Sequence, residues 1–447
     1  TRGGYGIISV RAGQKPGDGM LSMKDVRAEI NPVEEWNQIF NEAWRLERDF
    51  FYDPNMHRVD WKEVKKRYSK LMAYCSSRSD LNYIIGEMIG ELNVGHAYVG
   101  GGDMPRSERV GIGLLGADLS VEGKSAIRID KIYAGAPWDM TRSPLNMPGV
   151  DVKEGEYIVA VNHQSIDGTL SPYAAFQNLN RKVVVLSIST DASGKDAREV
   201  EVELMNNEAR LRNLAWIESN RQKVLKATNG QCGYIYVPNT GVEGQNELFR
   251  MYQGQFHLSA MIIDERWNSG GQIPDRFVEL LNRPIRSHFS RRDKNPMTIP
   301  FNGMDGPKVM LANQWAGSGG DMFPYIFKQE KVGPVVGKRT WGGLVGISGI
   351  PPLVDGGFLT APNFAFFNLD GEWDVEGIGV SPDYEVDAQA EDMYNGIDAQ
   401  LDKAIELINA SLKSEPFKSS PPPRVVKLLQ SFISLIAKPV TSFSIPE

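Results

Sequence analysis

The chain has 447 residues, 41% of them hydrophobic and 23% charged, with a formal net charge of −7. That length exceeds one ordinary core and predicts two to four globular domains. The acidic balance leaves no electrostatic footprint for nucleic acid or an anionic membrane, and no apolar run reaches the roughly 18 residues of a membrane span. Two cysteines, Cys75 and Cys232, make no disulfide framework, and the five scattered histidines form no metal-binding spacing. The start, Thr1-Arg2-Gly3-Gly4-Tyr5, has neither an initiator Met nor a signal peptide, so the chain reads as a fragment or a processed product.

Residues 1–30 hold a short strand-like piece, Gly6 to Val10, and no core of their own. Asn31-Pro32-Val33-Glu34 is a helix start, with Asn as N-cap and Pro at the first position. Trp36, Ile39, Phe40, Ala43, Trp44 and Phe50 then recur at helical spacing. Asp60 to Glu63 opens a second helix, and Ser79 a third carrying Leu81, Ile84, Ile85, Met88, Ile89 and Leu92. A helical bundle is expected over 31–104, ending in the segment around Gly95-His96. From 105 to 205 the pattern changes to short β runs separated by glycine turns. The phrases Gly135-Ala136-Pro137-Trp138 and Glu156 to Asn162 resemble a PDZ domain. That resemblance implies a groove taking an extended peptide by strand addition; the plain alternative is a PDZ-like spacer that binds nothing.

Residues 206–230 read as helix. Beyond them apolar runs (Gly233–Val237, Ala260–Asp264, Lys308–Ala312) alternate with amphipathic segments. That alternation predicts an α/β layer around a largely parallel sheet, closed by a helix through Leu401, Ile405 and Ile408. This core is placed at 206–415. Ser419-Ser420-Pro421-Pro422-Pro423 reads as a linker, and 416–447 as linker and tail. The expected fold is therefore multidomain α+β: helical bundle, PDZ-like β domain, α/β catalytic domain.

Three phrases of the α/β region suggest chemistry. Ile262 to Gly271 is a buried strand running into a Gly-Gly turn, where a backbone N–H can face a ligand unobstructed. Ala312 to Phe323 is a strand, a run of small residues and a helix beginning at or near Ser318. A serine there sits exposed on a tight turn with helix-start N–H groups around it, the arrangement of a nucleophile and its oxyanion hole. The plain alternative is a Ser N-cap. Glu376 stands before a Gly/Pro turn, where most glutamates are surface residues. A serine hydroxyl needs a base, and the strongest histidine is His96, in Leu92-Asn93-Val94-Gly95-His96-Ala97-Tyr98-Val99.

Taken in order, Glu91 to Val99, Gly233 to Pro238, Asn313 to Ser318 and Glu376 to Asp383 resemble the S41 serine peptidases, and most closely their tricorn branch. The resemblance covers Asn31 to Ile408. It implies a catalytic domain of the ClpP/crotonase type, with Ser318 as nucleophile, His96 as general base and then acid, and Glu376 orienting or polarising the His side. Gly319 and Gly271 would give the oxyanion N–H groups, with Gly270 the alternative to Gly271. No metal and no cofactor are implied. The other S41 branch uses a Ser/Lys dyad, but Gly343 stands where its lysine would be, in Thr340-Trp341-Gly342-Gly343-Leu344. Lys338 is near but out of that register. Gly95 replaces the serine that precedes the histidine in the tricorn pattern, and Ser287 to Asp293 does not carry over its P1-reading acid. The resemblance further implies peptide or unfolded polypeptide substrates and a symmetric homo-oligomer, a hexamer being the form the family suggests. It also implies upstream β-propellers that this chain lacks, residues 1–30 reading as the remnant of such a domain. The expected compartment is the cytoplasm, with the periplasm as alternative. Two competing functions are a non-catalytic PDZ-type peptide-binding module and an α/β-hydrolase esterase. The esterase requires the order Ser, acid, His, and no histidine follows Ser318.

Overall fold

The computed structural model describes residues 4–15, 17–105, 107–292 and 294–414. The linker and tail expected over 416–447 lie outside the described residues. The chain divides into two compact units, residues 1–105 with 345–365, and residues 106–344 with 366–447.

The first unit is built on three helices, α1 (Pro32–Phe50), α2 (Trp61–Ser69) and α3 (Arg78–Gly90). Asn31 caps α1 by accepting the Val33 N–H, and Asp60 caps α2 by accepting those of Lys62 and Glu63. Helix α3 starts two residues earlier than its sequence suggests, because Ser77 is the residue that accepts the Asp80 N–H. The apolar faces meet in one core of Ile39, Phe40, Ala43, Leu81, Ile85 and Met88. Trp44 and Trp61 lock α1 to α2, each indole N–H donating to the other residue's carbonyl at 2.8 and 3.0 Å. Residues 345–365 add two features the helical periodicity does not announce. Phe358–Thr360 pairs antiparallel with Tyr98–Gly100, and Leu353 and Leu359 are buried in the bundle core. Arg78 and Asp355, both buried, form the ion pair that ties this segment to α3. The strand expected at Gly6 to Val10 is reduced to one bridge, Gly6 to Met20, since nothing apolar packs on its exposed residues.

The second unit contains a six-stranded antiparallel sheet over 117–203 and a five-stranded sheet. Ile127, Ile129, Ile158, Val184, Leu186 and Phe176 fill the core of the first. Along residues 111–114 the chain already occupies both backbone edges. Gly113 donates to Phe176 and Asn178 to Gly111, while Leu114 and Met205 exchange hydrogen bonds. The strand Ala117–Glu122 stands at the edge of this sheet, paired among the described residues with Ala126–Ile132 alone.

The five-stranded sheet comprises β1 (Cys232–Tyr236), β2 (Ala260–Asp264), β3 (Lys308–Ala312), β4 (Val335–Gly337) and β5 (Tyr384–Glu385). All its pairs are parallel, in the order β5-β4-β3-β2-β1. Strands β1 to β4 are buried along their whole length, as a parallel sheet covered on both faces demands. Helices α4 (Ala209–Ala227), α5 (Val242–Gln255), α6 (Pro274–Leu281), α7 (Gly319–Gln329) and α8 (Ala399–Ser414) accompany it. A buried polar chain crosses this layer: Asn220 donates to Tyr234, Tyr234 to Asp264, and Arg266 is paired with Asp264 and Asp398. At the start of α4, Arg212 binds Glu208, the Tyr133 hydroxyl and the Ala117 carbonyl, tying the helix to the antiparallel sheet.

Candidate active site

The parallel order brings together three loops that leave the carboxyl ends of β1, β2 and β3, where ligands of open α/β sheets are bound. The loop after β1 supplies Thr240, the loop after β2 the Gly270-Gly271 pair, and the loop after β3 Ser318. They are stitched to one another through the backbone. Ser269 donates to Pro238, Thr240 to Gly270 and Gly317 to Asn268, at 3.0, 2.9 and 3.1 Å.

Ser318 is the N-cap of α7 and has φ 59° and ψ −117°, a backbone state that L-residues rarely adopt. It is partly exposed, whereas Ala316, Gly317, Gly319 and Gly320 around it are buried. The glycines are demanded by space. A Cβ on Gly270 (φ +85°) would stand 2.7 Å from the Ser318 Cβ, and one on Gly319 would stand 2.4 Å from the Gly271 carbonyl oxygen. Ser318 and its two candidate oxyanion glycines are therefore in close approach. The structure also separates Gly270 from Gly271. The Gly270 N–H donates to the Asn268 side chain at 2.9 Å, whereas no protein acceptor is found for the N–H of Gly271 or Gly319 among the described residues. Thr240, fully buried, places its hydroxyl where the Gly319 Cβ would be.

Two buried acids lie beneath Ser318, and sequence reasoning missed both. Asp321 accepts the N–H of Ser318 at 2.8 Å and those of Gly342 and Gly343 at 2.7 and 3.1 Å. Burial pushes its carboxyl up, against the Thr340 hydroxyl and these N–H groups, which pull it down. Among the described residues Glu265 has no donor on either oxygen, and burial, helped by Asp321 and Asp264, holds it well above the usual carboxylate range. Asp321 could be suspected from its place three residues after Ser318, where an acid closes a capping box; nothing in the sequence marks Glu265.

Glu376 is half-buried and accepts the Leu344 N–H at 2.6 Å, while Gly377 donates to Gly342 at 2.7 Å. Its loop thus lies along the same 342–344 turn that hangs on Asp321. His96 belongs to the helical unit. It too has a left-handed backbone, φ 58°, and its carbonyl accepts the Thr360 hydroxyl at 2.6 Å. Among the described residues no group of three or more His, Cys, Asp or Glu side chains is placed to hold a metal ion, and no helix is long and apolar enough to cross a membrane.

Comparison with known proteins gives this geometry its context. Residues 32–90 match the tricorn protease C1 domain, 113–207 the tricorn protease PDZ domain and 231–386 peptidase family S41. The chain belongs to the S41 peptidase family. It is 36% identical over 399 residues to a tricorn-like protease C-terminal subunit of Sulfurisphaera tokodaii, covering 89% of this chain and 46% of that protein. To tricorn protease homolog 1 of Streptomyces coelicolor it is 37% identical over 401 residues, covering 89% and 37%. A crystal structure of the tricorn protease superposes with a TM-score of 0.82 at 29% identity, over 88% of this chain and 38% of that one. The chain thus spans less than half the length of these relatives. Gly343, the residue expected at the lysine position of the dyad branch, is covered by Trp341: a Cβ there would meet the indole at 2.2 Å. Lys338 is engaged elsewhere, its ammonium 2.8 Å from Glu385 beside β5.

Proposed function

We propose that this chain is a serine peptidase that cleaves peptide bonds through an acyl-enzyme on Ser318. The observation that carries this reading is the strained, partly exposed Ser318 at the start of α7, with the N–H groups of Gly319 and Gly271 uncommitted beside it. Ser318 Oγ attacks the scissile carbonyl while His96 takes its proton. The oxyanion of the tetrahedral intermediate is held by the Gly319 and Gly271 N–H groups. His96 then protonates the leaving amine, and a water activated by the same imidazole releases the acyl group. Glu376 orients His96, directly or through a water in the space that Gly95 leaves without a side chain. The substrates are peptides or unfolded polypeptide, the acting form is a homo-oligomer, and the compartment is the cytoplasm. The family and the proteases among its relatives support the peptide substrates, while the homo-oligomer and the compartment rest on the resemblance alone.

The test is covalent. A fluorophosphonate probe should label the protein on the peptide carrying Ser318, and Ser318→Ala should abolish both labelling and hydrolysis. Loss of the covalent route costs several orders of magnitude, about 10⁶-fold where a serine triad has been dismantled. Ser318→Ala retaining more than a few per cent of hydrolysis would remove the assignment.

A further inference from the structure

Ser318 pairs a positive φ with a ψ that L-residues rarely hold, so something must over-determine it. The α7 helix start does not suffice, because an N-cap ordinarily has extended backbone. The constraint comes from Asp321, itself fully buried. One carboxylate oxygen accepts the Ser318 N–H at 2.8 Å and the Gly343 N–H at 3.1 Å, and the other accepts the Gly342 N–H at 2.7 Å. The same strip is fastened to the nucleophile loop a second time, since the Trp341 N–H donates to the Ala316 carbonyl at 2.9 Å and its ring abuts Gly317. Three N–H donors converge on one side chain, one from Ser318 and two from Gly342 and Gly343.

We propose that Asp321 is the positioning residue of the nucleophile: its carboxylate grips the Ser318 backbone and the 340–343 strip together, fixing where Ser318 Oγ stands. The inference rests on Ser318 being the nucleophile. An amide at 321 keeps one acceptor oxygen but turns an NH₂ toward N–H groups on the other side. Asp321→Asn therefore loses at least one of these bonds and replaces it with a donor–donor contact. A displaced nucleophile lowers kcat and leaves peptide binding alone, because Asp321 is fully buried and offers a peptide no surface.

The experiment compares the parent with Asp321→Asn on one fluorogenic peptide, with kcat expressed per folded molecule from circular dichroism, alongside the rate of fluorophosphonate labelling. A fall in kcat of about 100-fold is expected, the scale of a 1 Å misplacement, with KM within threefold and labelling slowed in parallel. A folded Asp321→Asn with parental kcat and labelling rate overturns the inference. Should that variant not fold, Asp321→Ser takes its place, since a single short hydroxyl cannot span the N–H groups of Ser318, Gly342 and Gly343. A lower kcat at unchanged KM is then expected, and parental kcat overturns the inference. If the parent itself is not labelled on the Ser318 peptide, the nucleophile assignment fails first, which is a separate result from either.

Discussion

Gly270 shows how little freedom the site has at the level of single residues. Its N–H is spent on Asn268, so its contribution is the absence of a side chain. With φ +85° and a hypothetical Cβ 2.7 Å from that of Ser318, Gly270→Ala combines backbone strain with a collision against the nucleophile. It should cut kcat by about 100-fold, again the scale of a 1 Å displacement. Gly254, helical and with open space around its Cβ position, is a suitable control whose alanine variant should retain parental kcat. Steady-state kinetics on the two variants checks this, and parental activity in Gly270→Ala would contradict the close approach. The positive φ of Ser318 could not be read from sequence, because serine does not favour a left-handed backbone; histidine tolerates one more readily, but nothing in the sequence marks position 96 for it. The choice between Gly270 and Gly271 was equally illegible. It turns on Asn268 reaching over two residues, a side-chain decision made by the loop as a whole.

At the scale of elements, periodicity located the helices well wherever an apolar face repeats, as with Leu81, Ile85 and Met88. It gave no sign that residues 345–365 pack with the bundle, because their strands are two or three residues long and their register is set by distant partners. Nor did it show that 176–178 would occupy an edge of the 111–114 segment. Helix α1 carries a further surprise on its apolar face. Glu47 is fully buried with no partner on either oxygen, and burial pushes its carboxyl from 4.5 up to about 8. The folded unit thus holds a proton that the unfolded chain releases near the ordinary value. The stability from this group is full below about 4.5 and is lost as pH rises through about 8. Glu47→Gln removes the titration. In thermal melts at a series of pH values, the variant should gain on the parent steadily from pH 5 to 8.5, by up to about 1.4 kcal/mol for each pH unit. A difference between the two that stays constant with pH would contradict the buried neutral carboxyl.

At the scale of the whole molecule, the residues assigned to the reaction are drawn from both compact units. His96 comes from the helical unit, and Ser318, Gly271, Gly319 and Glu376 from the unit that carries the parallel sheet. The family phrases made this division legible in outline, since the histidine stands before the PDZ-like region and the serine after it. The competing base, Lys338, shares a unit with Ser318 but is paired with Glu385. Its side chain is only partly exposed, and the hydrogen bond to Glu385 favours its charged form, so it is protonated at neutral pH, the wrong state to take the serine proton. The decisive measurement is kcat/KM on one fluorogenic peptide for the parent, His96→Ala and Lys338→Ala. The account predicts a loss of several orders of magnitude for the histidine variant and near-parental activity for the lysine variant; near-parental activity in His96→Ala would contradict it.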